Sequence, residues 1–212
     1  PDYSKILVLT DSFTRTGKIL KKQVTDTIAT LLPPTRYFFW NNLDYNEIAY
    51  RAGDLPPATV VLWLGMVRDS HGIVGNVQEQ IAFLQKTLGR PIYSFWDHSI
   101  GHGIVGGKLV DSAQQGRLAA GLSIAILNGQ PADSLPIIHS DTANPFVFDY
   151  HQLKKFSIDQ KRLPDGSRII NKPPSTIVLN RKFLLVGIGC SILSLLTLFH
   201  LFILLRVKKR SA

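Results

Sequence analysis

Two histidines and an aspartate lie close together in the sequence and are candidates for chemistry. Asp97 and His98 are adjacent, and His102 follows four residues after His98. On a helix this spacing would suit metal ligation, but Gly101 and Gly103 favour a loop, and no third ligand is assured. Acid–base work by Asp97 and His98 would leave open a membrane-anchored enzyme, yet no activated nucleophile with a partner is visible. We therefore predict no metal site, no cofactor and no enzymatic activity in this chain.

The stretch 101–106, GHGIVG, matches the G-x-G-x-x-G pattern of dinucleotide-binding loops. Its context does not fit, because it follows the fourth predicted strand instead of the first. No acidic residue lies about 20 positions further on to hold a ribose. We read the stretch as a glycine-rich bend, at which the backbone approaches a ligand or forms a hinge.

Polar side chains, most of them short and some with aromatic neighbours, follow four of the predicted strands. In open parallel sheets, ligands bind beyond the carboxyl ends of the strands, so these side chains are expected to line a pocket for a small polar ligand. Each of them taken singly would also suit a turn or a helix cap. The residues are Asp11 and Ser12 after the first strand, Asn41 and Asn42 after the second, Arg68 and Asp69 after the third, and Trp96, Asp97 and His98 after the fourth.

Alternating apolar patterns predict the elements that position these residues. Apolar, β-rich runs predict strands at 6–10, 37–40, 60–64, 92–95 and 137–138. Helical spacing between them predicts helices over 20–31, 48–52, 77–88 and 111–127. Such an order is typical of an α/β fold with a doubly wound parallel sheet and helices on both faces. Beyond residue 140 we predict a strand at 146–148, a helix at 151–156 and a stiff joint at Pro173-Pro174.

Residues 183–205 form an apolar run of 23 residues with no formal charge. As a helix it would be roughly 30–35 Å long, which predicts a single transmembrane helix. Four Lys or Arg follow the run and two precede it, which favours a cytoplasmic C-terminus and a periplasmic N-terminal domain. Gly187 and Ser191 are four residues apart, a spacing that permits close packing of two such helices, so we expect a homodimer.

Net charge argues against a nucleic-acid-binding protein. The chain has 24 Lys or Arg and 15 Asp or Glu, but six of the basic residues and none of the acidic ones lie in 181–212. The rest of the chain is nearly balanced, so no nucleic-acid partner is predicted. The single cysteine, Cys190, excludes an intramolecular disulfide.

Two long stretches resemble a bacterial family. They are FWDHSIGHGIVGGKLVDSAQQGRLAAGLSIAILNGQPADSLPI (95–137) and FVFDYHQLKKFSIDQKRLPDGSRIINKPPS (146–175), with DSFTRTG (11–17) and MVRDSHG (66–72) as looser matches. Together with the predicted transmembrane helix, these stretches are similar to periplasmic sensor regions that are related to ABC-transporter substrate-binding proteins. Such regions belong to membrane-bound histidine kinases and diguanylate cyclases of the bacterial inner membrane.

The resemblance implies a type I periplasmic-binding-protein fold, in which two α/β lobes hold a ligand in the cleft between them. Residues 1–140 would be the second lobe, 141–180 the return crossing and juxtamembrane linker, 183–205 the transmembrane helix and 206–212 a cytoplasmic basic tail. The chain would then be a fragment of a longer receptor. Cleft-facing positions by the same resemblance are Asp11, Thr16, Asn41, Asp69, Trp96, Asp97 and His98.

These inferences predict an extracytoplasmic ligand-sensing region of a membrane signalling receptor. A small molecule would close the cleft, and the closure would pass through the transmembrane helix to a cytoplasmic output domain that is not in this chain. The alternative is a membrane-tethered substrate-binding component of an ABC transporter. A kinase or cyclase domain encoded after Ala212 would favour the sensor, and a stop codon there would favour the transporter component.

Overall fold

The chain divides into two compact units. They are Pro1–Lys172, here called the sheet unit, and Pro173–Ala212, here called the helix unit. The computed structural model describes residues 3–65, 68–69, 71–138, 143–174 and 176–210. Parts of the predicted segments 66–72 and 206–212 therefore lie outside the described residues.

The described part of the sheet unit contains seven strands and five helices, counting α-helices alone. The strands are β1 (Lys5–Thr10), β2 (Tyr37–Asn41), β3 (Thr59–Trp63), β4 (Ile92–Tyr93), β5 (Gly106–Lys108), β6 (Phe146–Asp149) and β7 (Arg168–Ile170). The helices are α1 (Arg15–Leu31), α2 (Tyr45–Ala52), α3 (Val77–Leu88), α4 (Ser112–Leu127) and α5 (Tyr150–Lys155).

All seven strands form one sheet in the order β2-β1-β3-β4-β5-β6-β7. Neighbouring strands are parallel except β5 and β6, which are antiparallel. This mixed, mostly parallel sheet confirms the predicted α/β fold class. The strand predicted at 137–138 is wrong, because Ile137 is 85% exposed and lies outside the sheet. An apolar pair is too short to specify a strand, and the place beside β4 is taken by β5.

Strand β1 shows why helices cover both faces of the sheet. Side chains alternate along a strand, so Leu7 and Leu9 point to one face and Val8 to the other. Leu7 and Leu9 join a core cluster with α2 and α3, whereas Val8 packs with Ile28 of α1. All three β1 side chains are at most 2% exposed, as a strand buried on both faces requires.

The predicted glycine-rich bend is present, with positive φ at Gly101, Gly103 and Gly106. At Gly106 the main chain of β6 comes so close that a Cβ atom would collide with the carbonyl oxygen of Val147. The glycine therefore lets β5 and β6 approach each other, which is a structural use of the motif.

The described part of the helix unit contains one helix, α6 (Thr176–Arg210). Within it, the segment Arg181–Ile203 has a mean hydropathy of 2.2, and none of this segment is buried. By length and composition this is one helix able to cross a membrane, two residues earlier than the predicted 183–205. The hydroxyl groups of Ser191 and Ser194 donate to carbonyl oxygens four residues back, so these polar groups are satisfied within the helix.

Candidate functional site

The loop after β1 is fixed by its own side chains and by the loop after β2. The Asp11 carboxylate accepts a hydrogen bond from the Phe13 N–H (3.2 Å). The Ser12 hydroxyl donates to Oδ1 of Asn41 (2.8 Å), and the Ser12 N–H donates to Oδ1 of Asn42 (2.6 Å). These bonds place the start of α1 beyond the carboxyl ends of β1 and β2, where the sequence predicts a ligand pocket.

Two glycines make room for the Asp11 carboxylate, which is 6% exposed. A Cβ atom at Gly17 would lie 2.6 Å from Oδ1 of Asp11, and one at Gly65 would lie 2.6 Å from Oδ2. Gly17 belongs to the first turn of α1, where its N–H donates to the hydroxyl of Thr14, the N-cap residue. Larger side chains at either glycine would displace the carboxylate or the backbone around it.

An aromatic surface follows β4. The indole N–H of Trp96 donates to the carbonyl oxygen of Leu64 (3.3 Å), which ties this residue to the end of β3. The His98 ring stacks on Trp96, with centroids 5.8 Å apart and planes 26° apart. Half of the His98 side chain is exposed, so the imidazole can still meet a ligand.

These elements enclose a cavity of about 330 Å³ at the carboxyl edge of the sheet. A cavity of this volume suits a small organic molecule. Four of the seven predicted site residues line it, namely Asp11, Thr16, Trp96 and His98. The remaining lining residues are Thr14, Gly17, Leu20, Trp63, Leu64, Gly65 and Arg68.

The other three predicted residues lie elsewhere. The Asn41 side chain is used in the bond to Ser12, outside the cavity lining. The Asp69 carboxylate accepts from the N–H groups of His71 and Ile73 and so closes its own loop. The Asp97 carboxylate accepts from the N–H of Ser112 (2.8 Å), the first residue of α4.

The bond to Ser112 also affects the ionisation of Asp97. Partial burial opposes the charged form, but the backbone and side-chain hydrogen bonds of Ser112 outweigh it, helped by the backbone and charge of His98. The net effect lowers the pKa of the Asp97 carboxyl. Asp97 therefore acts as an ionised anchor for the start of α4.

Arg68 is the main cavity residue that the predicted set of site residues leaves out. Its guanidinium group donates to the carbonyl oxygen of Gly72 (3.0 Å) and lies 5.1 Å from the centre of the Phe13 ring. Its place directly after a predicted strand could have identified Arg68 as a site residue, because the same reasoning selected its neighbour Asp69. The side-chain chemistry at the cavity thus comprises a carboxylate (Asp11), a guanidinium (Arg68) and the flat surface of Trp96, which suits a small ligand carrying both polar and planar groups.

Metal ligands are not clustered in the part of the chain that the structure describes. No group of three or more His, Cys, Asp or Glu side chains is placed to hold a metal ion there. His98 stacks on Trp96, and His102 lies outside the cavity lining.

Comparisons with known proteins concern the fold. No family model and no curated protein matches the sequence. The ligand-free, open structure of a substrate-binding protein with adhesive properties from Clostridium difficile is similar, at 13% identity and a TM-score of 0.61, over 82% of this chain and 56% of that one. A conserved domain protein from Vibrio cholerae is similar at 14% identity and a TM-score of 0.54, over 80% of this chain and 55% of that one.

This chain spans a little over half the length of both similar structures. The likeness concerns the α/β fold, which this chain shares with a substrate-binding protein. The link to sensor regions of kinases and cyclases, and the division into lobe, return crossing and linker, stay predictions.

Proposed function

We propose that this chain is the extracytoplasmic ligand-sensing region of a bacterial inner-membrane receptor. A small molecule binds at the cavity beyond β1, β3 and β4, and the bound state is passed through the apolar helix to a cytoplasmic output domain. In this proposal the chain itself is a homodimer and carries no enzymatic activity.

One observation carries the proposal: Asp11, Thr16, Trp96 and His98, chosen from the sequence as ligand contacts, line one cavity. The cavity lies at the sheet edge where ligands bind in open α/β folds. Support also comes from the similar fold of a substrate-binding protein and from a helix that is apolar enough to cross a membrane.

A ligand changes the receptor state only as far as it prefers one arrangement over another. In the proposed mechanism this cavity belongs to the second lobe, and the ligand is gripped between it and the first lobe of the receptor. Pro173-Pro174 restricts the chain between the sheet unit and the span, so movement of the sheet unit reaches the helix instead of being absorbed by the linker.

Ligand binding is tested by thermal unfolding of the full chain in lipid nanodiscs, with amino acids, sugars and short peptides as probes. All three tryptophans lie in the sheet unit, so tryptophan fluorescence follows that unit alone. A ligand that binds only the folded state raises the unfolding temperature, and above the Kd the gain in stability grows with the logarithm of the free ligand concentration. We expect His98→Ala to weaken a hit by about ten-fold, the loss of one hydrogen-bonded contact.

His102→Ala is the matched control, since His102 is exposed and outside the cavity lining. It should leave binding unchanged. Equal weakening by both histidine variants, or by neither, would place the ligand outside this cavity.

Coupling is tested separately by replacing Pro173-Pro174 with Gly-Gly in the full-length receptor. The flexible pair should weaken the output response and leave ligand affinity intact. An unchanged response would contradict the stiff joint.

The alternative is a membrane-tethered substrate-binding component of an ABC transporter, favoured by the substrate-binding protein among the similar structures. Such a component delivers its ligand, so uptake would depend on the cavity residues and not on the stiffness of the linker. Loss of solute uptake with His98→Ala, together with normal uptake in the Gly-Gly variant, would favour this alternative.

A further inference from the structure

Charge is unevenly distributed along the sheet unit. Residues 1–149 hold twelve Lys or Arg and thirteen Asp or Glu, whereas residues 150–172 hold six Lys or Arg and two Asp. Asp165 is the last acidic residue of the sequence. The excess positive charge of this unit therefore lies in its final β-α-β segment.

The six cations are exposed and lack carboxylate partners within the described part of the chain. The described contacts of ion-pair geometry join Lys22, His71 and His98 to carboxylates, and none of them involves one of the six. Lys154 lies over the Tyr150 ring, while Lys155 lies over Phe156 and donates to Gln85. We call the set the basic edge; it comprises Lys154, Lys155, Lys161, Arg162, Arg168 and Lys172.

The basic edge is carried by elements that pack on an apolar cluster. Strand β7 is the last in the sheet order, and α5 joins it to its neighbour β6. Leu153, Leu163 and Ile169 anchor this segment in one apolar cluster, with Leu153 1% exposed. The cations are thus presented by an ordered sheet edge, where nearby charges add to one local field.

Chain length limits how far Lys172, the last residue of the basic edge, can lie from the apolar helix. Lys172 is four residues before Thr176, where α6 begins, and nine before Arg181, where the apolar window begins. Extended chain covers at most about 3.5 Å per residue and helix about 1.5 Å, so Lys172 lies within roughly 20 Å of that window. Arg181 and Lys182 add two more cations at the same boundary.

We propose that the basic edge binds the anionic phospholipid headgroups of the membrane that α6 crosses. Lys and Arg near an anionic bilayer surface each strengthen attachment by about five-fold, and aromatic rings beside them suit the headgroup region. The sheet unit then rests on the bilayer by its β7 edge. This inference concerns a surface distinct from the ligand cavity, and it holds for either orientation of the helix across the membrane.

The test places a fluorophore on the full chain in nanodiscs that contain headgroup spin-labelled lipid as quencher. Cys190→Ser removes the native thiol, and Gln160→Cys then carries the fluorophore at the basic edge. Gln78→Cys, on the exposed side of α3, is the reference position. We expect quenching at position 160 to be about three-fold stronger with phosphatidylglycerol than with phosphatidylcholine, and to fall at high salt.

Two charge variants with equal loss of positive charge separate the edge from net charge. The edge variant is Lys154→Gln, Lys161→Gln, Arg162→Gln and Arg168→Gln. The control variant is Lys18→Gln, Arg51→Gln, Lys86→Gln and Arg117→Gln, four exposed cations on α1 to α4. The edge variant should lose the lipid-dependent quenching while keeping the tryptophan unfolding temperature, and the control should keep both.

Three outcomes would overturn the proposal. The first is equal quenching at position 160 in neutral and anionic lipid. The second is an equal loss of quenching in both charge variants, which would indicate net charge alone. The third is release of the edge by inorganic phosphate beyond that caused by sodium chloride of the same ionic strength, which would indicate a site for free phosphate.

Discussion

Helices α3 and α4 belong to the same sheet unit but differ in how they are stabilised. Both begin with a side-chain cap, Asn76 on α3 and Asp111 on α4. Helix α3 has 12 residues, of which four are buried, whereas α4 has 16 residues and none is buried. Local sequence therefore specifies both helices, while packing on the sheet supports one of them.

Several apolar side chains of α4 are exposed, so packing adds little to the stability of this helix. Ile124 is 58% exposed and Leu127 is 84% exposed, and the helix borders an open groove together with Leu135 and Ile137. A single helix of this length is marginal in water. Its described contacts are concentrated at the first turns, where Asp97 binds Ser112 and Gln115 bonds Asn144. Helix α3 is therefore held by its buried face, and α4 is held by its N-terminal end.

We expect the largest effect from truncating a buried side chain of α3, compared with a half-buried one of α4. Ile81→Ala in α3 removes a fully buried side chain, so it should lower the free energy of unfolding by about 2–5 kcal/mol. Leu122→Ala at a half-buried position of α4 should cost less than about 1 kcal/mol. Urea unfolding of the full chain, followed by tryptophan fluorescence, measures both. Equal losses would show that α4 is buried after all.

A glycine in a packed helix should respond differently from one with open space around it. Gly17→Ala in α1 pushes a methyl group against the Asp11 carboxylate and should cost about 1–3 kcal/mol of unfolding free energy. It should also weaken any ligand that binds Asp11. Gly53→Ala, where a Cβ atom meets nothing within 4 Å, is the control and should leave ligand affinity unchanged. A harmless Gly17→Ala would contradict the close packing around Asp11.

The anchor of α4 should be sensitive to both mutation and pH. Asp97→Ala removes the acceptor of the Ser112 N–H and should cost about 1 kcal/mol, against less than about 0.5 kcal/mol for the exposed control Asp54→Ala. Because folding lowers the pKa of Asp97, this stabilisation is present above the ordinary value of 3.8 and is lost as the pH falls towards the folded-state pKa.

The stabilities of wild type and Asp97→Ala should therefore differ at neutral pH and converge in acid. Urea titrations of both proteins across this range measure the effect. A difference that stayed constant with pH would show that the Asp97 charge is not the anchor. An unchanged ligand response in Asp97→Ala would count against a direct role in the ligand site.

The smallest expected effect has the opposite sign. Gly116 and Gly121 lie in α4, and a Cβ atom at either would meet nothing within 4 Å. Alanine is favoured over glycine in an exposed helix by roughly 0.5–1 kcal/mol, so Gly116→Ala should stabilise α4. Amide hydrogen exchange over residues 112–127 should slow down. Destabilisation would mean that another surface packs against this helix.

Sequence patterns predicted most elements because their signals are local. The apolar run of β1 and the helical spacing of α3 depend on neighbours within a few residues. Strand β5 was missed for the opposite reason. Its sequence GGK has no strand signal of its own, and its pairing with β4 and β6 decides its conformation.

The candidate site divides in the same way. Sequence indicated which polar residues follow the strands, but not which of them share a cavity. Strands β1, β3 and β4 are consecutive in the sheet, so the loops that carry Asp11, Arg68 and Trp96 meet. Strand β2 flanks them, so Asn41 supports the site from outside. Asp97 bonds a residue 15 positions later, which no local pattern reports.

By itself the sequence determined most of the elements and the apolar helix, because each of these depends on side chains close together in the chain. The tertiary structure alone decided the strand order, and with it which polar ends converge, which carboxylate lines the cavity and which one anchors a helix. Those outcomes depend on contacts between residues far apart in the chain, and such contacts exist only once the sheet has formed.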